Sequence, residues 1–191
     1  MTSTETNSSS TGELHPRIAE LMGALDASRA ELHALVASLP QEALSAPPND
    51  AEWSVAQILE HLSMVEDGAG RLCSKIVREV EASGARETET SSVLGLNDAL
   101  GISAADVRIT APERVRPTAG LTPEESMSRL EASRRKLKEV LQRASGLPLG
   151  AASVPHPIFG PFNGYQWVLT LAQHERRHIR QLRRAAGLGD A

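Results

Sequence analysis

His174 and His178 stand four positions apart in a strongly helical, arginine-rich segment near the end of the chain. On a helix this spacing projects both imidazoles from one face, one turn apart, so two ring nitrogens can reach a single metal ion. Taken alone, the pair reads more readily as solvated or singly hydrogen-bonded histidines on a basic helix end. A third histidine, His61, lies in a separate apolar-periodic segment beside Ile58 and Val65. If the two segments face each other, all three rings meet in the core, as metal sites in helical bundles are assembled. Three buried imidazoles without a cation are costly, because each has a donor and an acceptor to satisfy. A lone half-buried His61 would need only a backbone carbonyl.

The run His174-Glu175-Arg176-Arg177-His178 also fits the H-E-x-x-H pattern of zinc peptidases, in which the glutamate is a general base and a third ligand follows. Asp190 is the sole acidic residue downstream, and no edge strand is evident to hold a peptide. A peptidase is therefore disfavoured.

Other residues rank lower. Glu175 and Glu60 adjoin histidines and can orient a ring nitrogen, and Glu66 is comparable. Neighbours in sequence turn about 100° away on a helix, so a solvated surface role fits them as well. His156, in the Pro-rich loop HPIFGPFNG, can line a pocket mouth or be an ordinary turn residue. Tyr165 and Trp167 read as core or rim packing. Arg176, Arg177, Arg180, Arg183 and Arg184 can clamp an anion, although complementing the negative end of a helix is the simpler account. Cys73, among Leu72 and Ile76, reads as a small buried apolar side chain, and His15 and His33 have no evident partners.

Four helical segments must position these groups. The first runs from about Glu13 to Leu39, with leucines and Ile18 recurring at threes and fours, and stops at Pro40, Pro47 and Pro48. The second starts at Ser54, where Gln57 completes a capping box, and continues to about Ala82. Periodicity fades from Ser83 to Gly120, a long crossover expected to hold short helical turns near Asn97 to Ile102. The third segment opens with Thr122-Pro123-Glu124-Glu125, another capping box, and ends at Gly146 and Pro148. The fourth begins at Asn163, with Gln166 three residues on, and ends at Gly187. These elements predict an all-α fold, a four-helix bundle with a long crossover between its second and third helices.

Composition agrees. Only 3% of the 191 residues are aromatic and 40% are hydrophobic, which implies an aliphatic helical core. A formal charge of -4 speaks against nucleic-acid binding. No run spans a bilayer, and a single cysteine fits a reducing compartment, so the cytoplasm is the expected location. Residues 1–12 read as a disordered tail, and 13–187 as one domain.

Two blocks carry a family resemblance. Trp53-Ser54-Val55-Ala56-Gln57-Ile58-Leu59-Glu60-His61-Leu62 resembles the second-helix signature of the DinB-like superfamily. The run from His156 to Pro161, with Tyr165-Gln166-Trp167 and His174 to His178, resembles its last-helix signature. The resemblance implies a four-helix bundle holding a divalent metal on three histidines, at positions matching His61, His174 and His178. It also implies a homodimer and, among characterised relatives, transferases using low-molecular-weight thiols such as bacillithiol or mycothiol, and a mycothiol-dependent isomerase.

Three neutral imidazoles leave coordination positions open, as in catalytic rather than structural zinc sites. Nitrogen ligation suits Zn, Ni, Fe or Co about equally. The expected function is a metal-dependent enzyme acting on a small molecule through an activated thiol. Its alternatives are a non-catalytic metal- or ligand-binding bundle and a metal-assisted hydrolase.

Overall fold

The computed structural model describes residues 13–45, 52–102, 110–118 and 120–189. Four long helices dominate: α1 (Pro16–Ser38), α3 (Val55–Ala82), α4 (Pro123–Arg143) and α5 (Gly164–Ala185). A short α2 (Gln41–Ser45) follows α1 after Pro40, a turn of helix that periodicity does not announce. The expected tail at 1–12, and Pro47, Pro48 and Asp190, lie outside the described residues. So does part of the crossover, at 103–109.

The helix starts are set locally. Ser54 accepts from the Gln57 amide while the Gln57 side chain accepts from the Ser54 amide, and Thr122 with Glu125 and Asn163 with Gln166 do the same. Each such cap contributes about 1 kcal/mol and fixes which residues of its helix face inward. At the far end of α5, Gly187 (φ 73°) donates to Arg184 and Leu188 to Arg183, the two reciprocal bonds of a Schellman stop.

Packing is pairwise, α3 against α4 and α1 against α5, with α3 also touching α5. The second and fourth expected helices therefore face each other as α3 and α5. The aliphatic interior divides into two clusters. Along every long helix, one buried charged residue falls between the buried members of the two: Arg29 on α1, Glu66 on α3, Arg134 on α4 and Glu175 on α5. They form one network. Arg29 donates to Glu66 (2.6 Å) and Glu175 (2.8 Å), and Arg134 to Glu66 (2.7 Å) and Glu175 (3.1 Å). Ser28 donates to Glu175, and Arg134 also to the Leu25 carbonyl.

The segment HPIFGPFNG, expected as a loop, instead completes an antiparallel hairpin of β1 (Ser153–His156) and β2 (Gly160–Asn163). Pro155 faces Pro161 in its register, so two ladder donors are missing, and strands this short and proline-rich leave little pattern in sequence. Gly160 takes the positive φ (84°) that the tight tip needs, while His156 Nδ1 accepts from the Ile158 and Phe159 amides.

The crossover is strapped down. Glu87 accepts from Arg17 and Tyr165, Glu20 from Val93, and Asn97 donates to Thr170 and Gln173. Its described residues include two 3-10 turns, Asp98–Leu100, within the stretch where short turns were expected, and Glu113–Val115. Among the described residues no helix is long and apolar enough to cross a membrane.

Candidate metal centre

His61 enters the core from the second turn of α3, and His174 and His178 from the middle of α5. One ring nitrogen from each lies within 4.8 Å of those of the other two. His174 Nε2 is 3.1 Å from His178 Nε2 and 3.4 Å from His61 Nε2. Tetrahedral bonds of about 2.0–2.1 Å set neighbouring imidazole nitrogens about 3.3 Å apart, and right-angled bonds of that length about 3.0 Å apart. Both contacts with His174 thus fit a shared divalent ion.

The protonation pattern points the same way. His61 Nδ1 donates to the Val115 carbonyl (2.6 Å), and His178 Nδ1 to the Gln181 side-chain oxygen (2.7 Å). These acceptors place the ring proton on Nδ1, so the Nε2 lone pairs of His61 and His178 both point at His174. A proton on His174 Nε2 can serve one of them well, and it leaves the other lone pair without a donor. A cation resolves both contacts.

Burial holds the rings neutral. It pushes His61 below its usual value despite the Val115 bond, and His178 down to about 3. His174 is held well below its usual value, first by burial and then by the repulsion a proton there would meet from protonated His178 or His61. Neutral imidazole is the form that binds a metal.

The trio lines a cavity of about 1160 Å³. Trp53, tilted against His61 with ring centroids 5.0 Å apart, Phe159, Trp167 and Leu171 provide apolar wall. His156 also lines the cavity, stacked on Phe162 at 4.8 Å and beside Trp167 at 4.9 Å. Burial lowers its pKa too.

The carboxylates are placed otherwise than the sequence reading allowed. Glu175 neither orients a histidine ring nor faces solvent; it is 2% exposed, and its oxygens accept from Ser28, Arg29 and Arg134. Glu66 is spent on the same arginines. Glu60 is buried as well and accepts from the Thr118 amide and hydroxyl, tying the crossover to α3 beside His61. A signal existed: Arg29, Glu66, Arg134 and Glu175 each fall four residues after a core leucine, at positions the apolar stripe should occupy. Ring orientation comes instead from Val115 and Gln181. Gln181, one helical turn past His178, was legible in spacing, whereas a backbone carbonyl leaves no trace in a sequence.

The arginine run divides. Arg176 pairs with Glu31 at 3.2 Å, Arg183 and Arg184 occupy the last turn of α5, and Arg177 and Arg184 line the cavity. Arg177 is held below its usual value by burial and by neighbouring Arg180 and Arg184. Cys73 is buried among aliphatic side chains, which push its thiol up to about 12, and His33 pairs with Glu131.

Residues 24–182 match the DinB superfamily. An uncharacterized protein of Bacillus subtilis, YuaE, is 22% identical over 163 residues, covering 85% of this chain and 94% of its own. A crystal structure described as TT2238, a four-helix bundle protein, superposes with a TM-score of 0.59 at 26% identity. The match covers 87% of this chain and 98% of that one.

Proposed function

Since the chain belongs to the DinB superfamily, we propose that His61, His174 and His178 hold one divalent ion and that the protein is a metal-dependent enzyme joining a thiol to a small electrophile. The observation that carries the reading is the convergence of three Nε2 atoms, two of them fixed as bare lone pairs by the Val115 and Gln181 acceptors. A divalent ion held by three neutral nitrogens keeps positions open and deprotonates a thiol bound there.

The remaining work falls to the chain. Neutral rings, kept so by burial, do not compete for the released thiol proton, which leaves to solvent through the cavity mouth. Trp53, Phe159 and Trp167 exclude water around the sulfur and hold the apolar body of the electrophile against it. The sulfur forms the new bond to carbon, and the leaving group departs with its electron pair. The wider family contains thiol-dependent transferases, and the cavity is large enough for both reactants.

The first test is elemental analysis of purified protein offered Zn, Ni, Fe and Co. About one ion per chain is expected, with near-complete loss in His178→Ala and His61→Ala. Full occupancy in those variants would remove the site. Metal-dependent consumption of a thiol across a panel of electrophiles tests the reaction itself, and metal binding without turnover would favour a binding protein.

A further inference from the structure

The cavity carries a charge imbalance that the three histidines do not explain. Arg114, Arg116, Arg177 and Arg184 line it, against one acidic residue, Glu52, among the described lining residues. The buried carboxylates nearest in sequence to the histidines look elsewhere: Glu60 to Thr118, Glu66 and Glu175 to Arg29 and Arg134. None of the three lines the cavity. Arg177 bears electrostatically on all three histidines. A divalent ion on three uncharged ligands adds two further positive charges, against Glu52 as the one carboxylate among the described lining residues. Water-filled, such a chamber is poorly matched to a neutral guest.

We infer that the site selects a reactant bearing an oxyanion, a carboxylate or phosphate group, that sits at Arg177 and Arg184 while the reactive atom sits at the histidine trio and an apolar body lies along the aromatic wall. The inference deepens the proposed function and rests on it for the position of the reactive atom. A guanidinium has five N–H donors in a rigid fork, so it can take an oxyanion alongside contacts it already makes within the protein. Arg116 shows the principle: its Nε is engaged by the Ala111 carbonyl while the residue also lines the cavity. The apolar wall supplies affinity without specificity, and the arginines supply the discrimination.

The experiment loads the full chain with Co(II) and titrates three matched probes: 4-(mercaptomethyl)benzoate, its phosphonate analogue and its neutral benzamide. Calorimetry reads affinity, and the thiolate-to-cobalt absorption band reads arrival of sulfur at the metal. The benzoate or the phosphonate should bind about tenfold or more tightly than the benzamide, and the stronger of the two identifies the preferred oxyanion. The preference should shrink with added salt. It should collapse in Arg177→Gln, survive in part in Arg177→Lys, and weaken in the surface variant Arg184→Gln. Equal affinities for all three probes, or a preference untouched by both glutamine variants, would overturn the inference even if the band appears. Absence of the band with the preference intact would instead overturn the thiol reading and leave the oxyanion site standing.

Discussion

The imidazole Nδ1 of His178 lies 2.7 Å from the side-chain oxygen of Gln181, three residues further along α5. Helical geometry alone brings them together, and the bond decides which ring nitrogen of His178 is bare. Loss of such an orienting partner typically costs 10- to 100-fold in metal affinity. Gln181→Ala should therefore weaken binding by about tenfold or more in chelator competition, with little change in melting temperature, since Gln181 is only half buried. Unchanged affinity would show that the tautomer is fixed by other means.

Glu175 tests the charged layer. Removing one partner of a buried ion pair leaves the other uncompensated, at a cost of about 3–5 kcal/mol. Glu175→Gln should lower stability to urea by about that amount, because Arg29 and Arg134 both lose a charged partner and an amide NH2 replaces one of the two accepting oxygens. Glu31→Gln, which breaks an exposed pair with Arg176, should cost under about 1 kcal/mol. Similar costs for the two would argue that the interior network is not what sets stability.

Gly164, the first residue of α5, has no room for a side chain. An added Cβ would lie 2.8 Å from the Leu149 carbonyl oxygen and 3.0 Å from Ile76 Cγ2. Gly164→Ala should destabilise by about 1–3 kcal/mol, read in thermal unfolding, and metal content should stay near that of the wild type. The clash sits ten positions before His174, in the first turn of α5 directly after the Asn163 cap.

Glu87 gives a pH dependence. Burial opposes its ionisation, but bonds from Tyr165 and the Glu89 amide and the charge of Arg17 outweigh this and hold its carboxyl below the ordinary 4.5. The folded state therefore binds its proton later than the unfolded state. The stabilisation is complete above the ordinary value and is lost as pH falls through the lower, folded one. A stability gap between wild type and Glu87→Gln should be present at pH 6 and close as pH drops below 4.5. A gap independent of pH would assign the effect to packing.

Legibility in the sequence followed the range of the interactions. The caps at Ser54, Thr122 and Asn163 each involve residues three apart, so the starts of α3, α4 and α5 were readable, and with them the inward direction of His61, His174 and His178. Helical spacing then placed His174 and His178 one turn apart on one face. The hairpin was not readable, because Pro155 and Pro161 become strand residues only by pairing with each other. Nor was the role of Glu175: adjacency to His174 suggested partnership, while the helix turns its carboxylate towards α1 and α4. The Val115 carbonyl, 54 positions from His61, depends on the course of the crossover and carries no side-chain signature.

A bundle lined only with leucines can slip by a turn and bury its leucines again. Here, sliding α3 or α5 by one turn, about 5.4 Å, would strand Glu66 or Glu175 among aliphatic neighbours and abandon two guanidinium groups. The charged layer acts as a detent: each rod clicks into one axial offset and resists the next. The imidazoles hang from two of those rods, so they meet at a common height because the scaffold is notched, not because they attract one another. A divalent ion offered to them would find its seat already levelled.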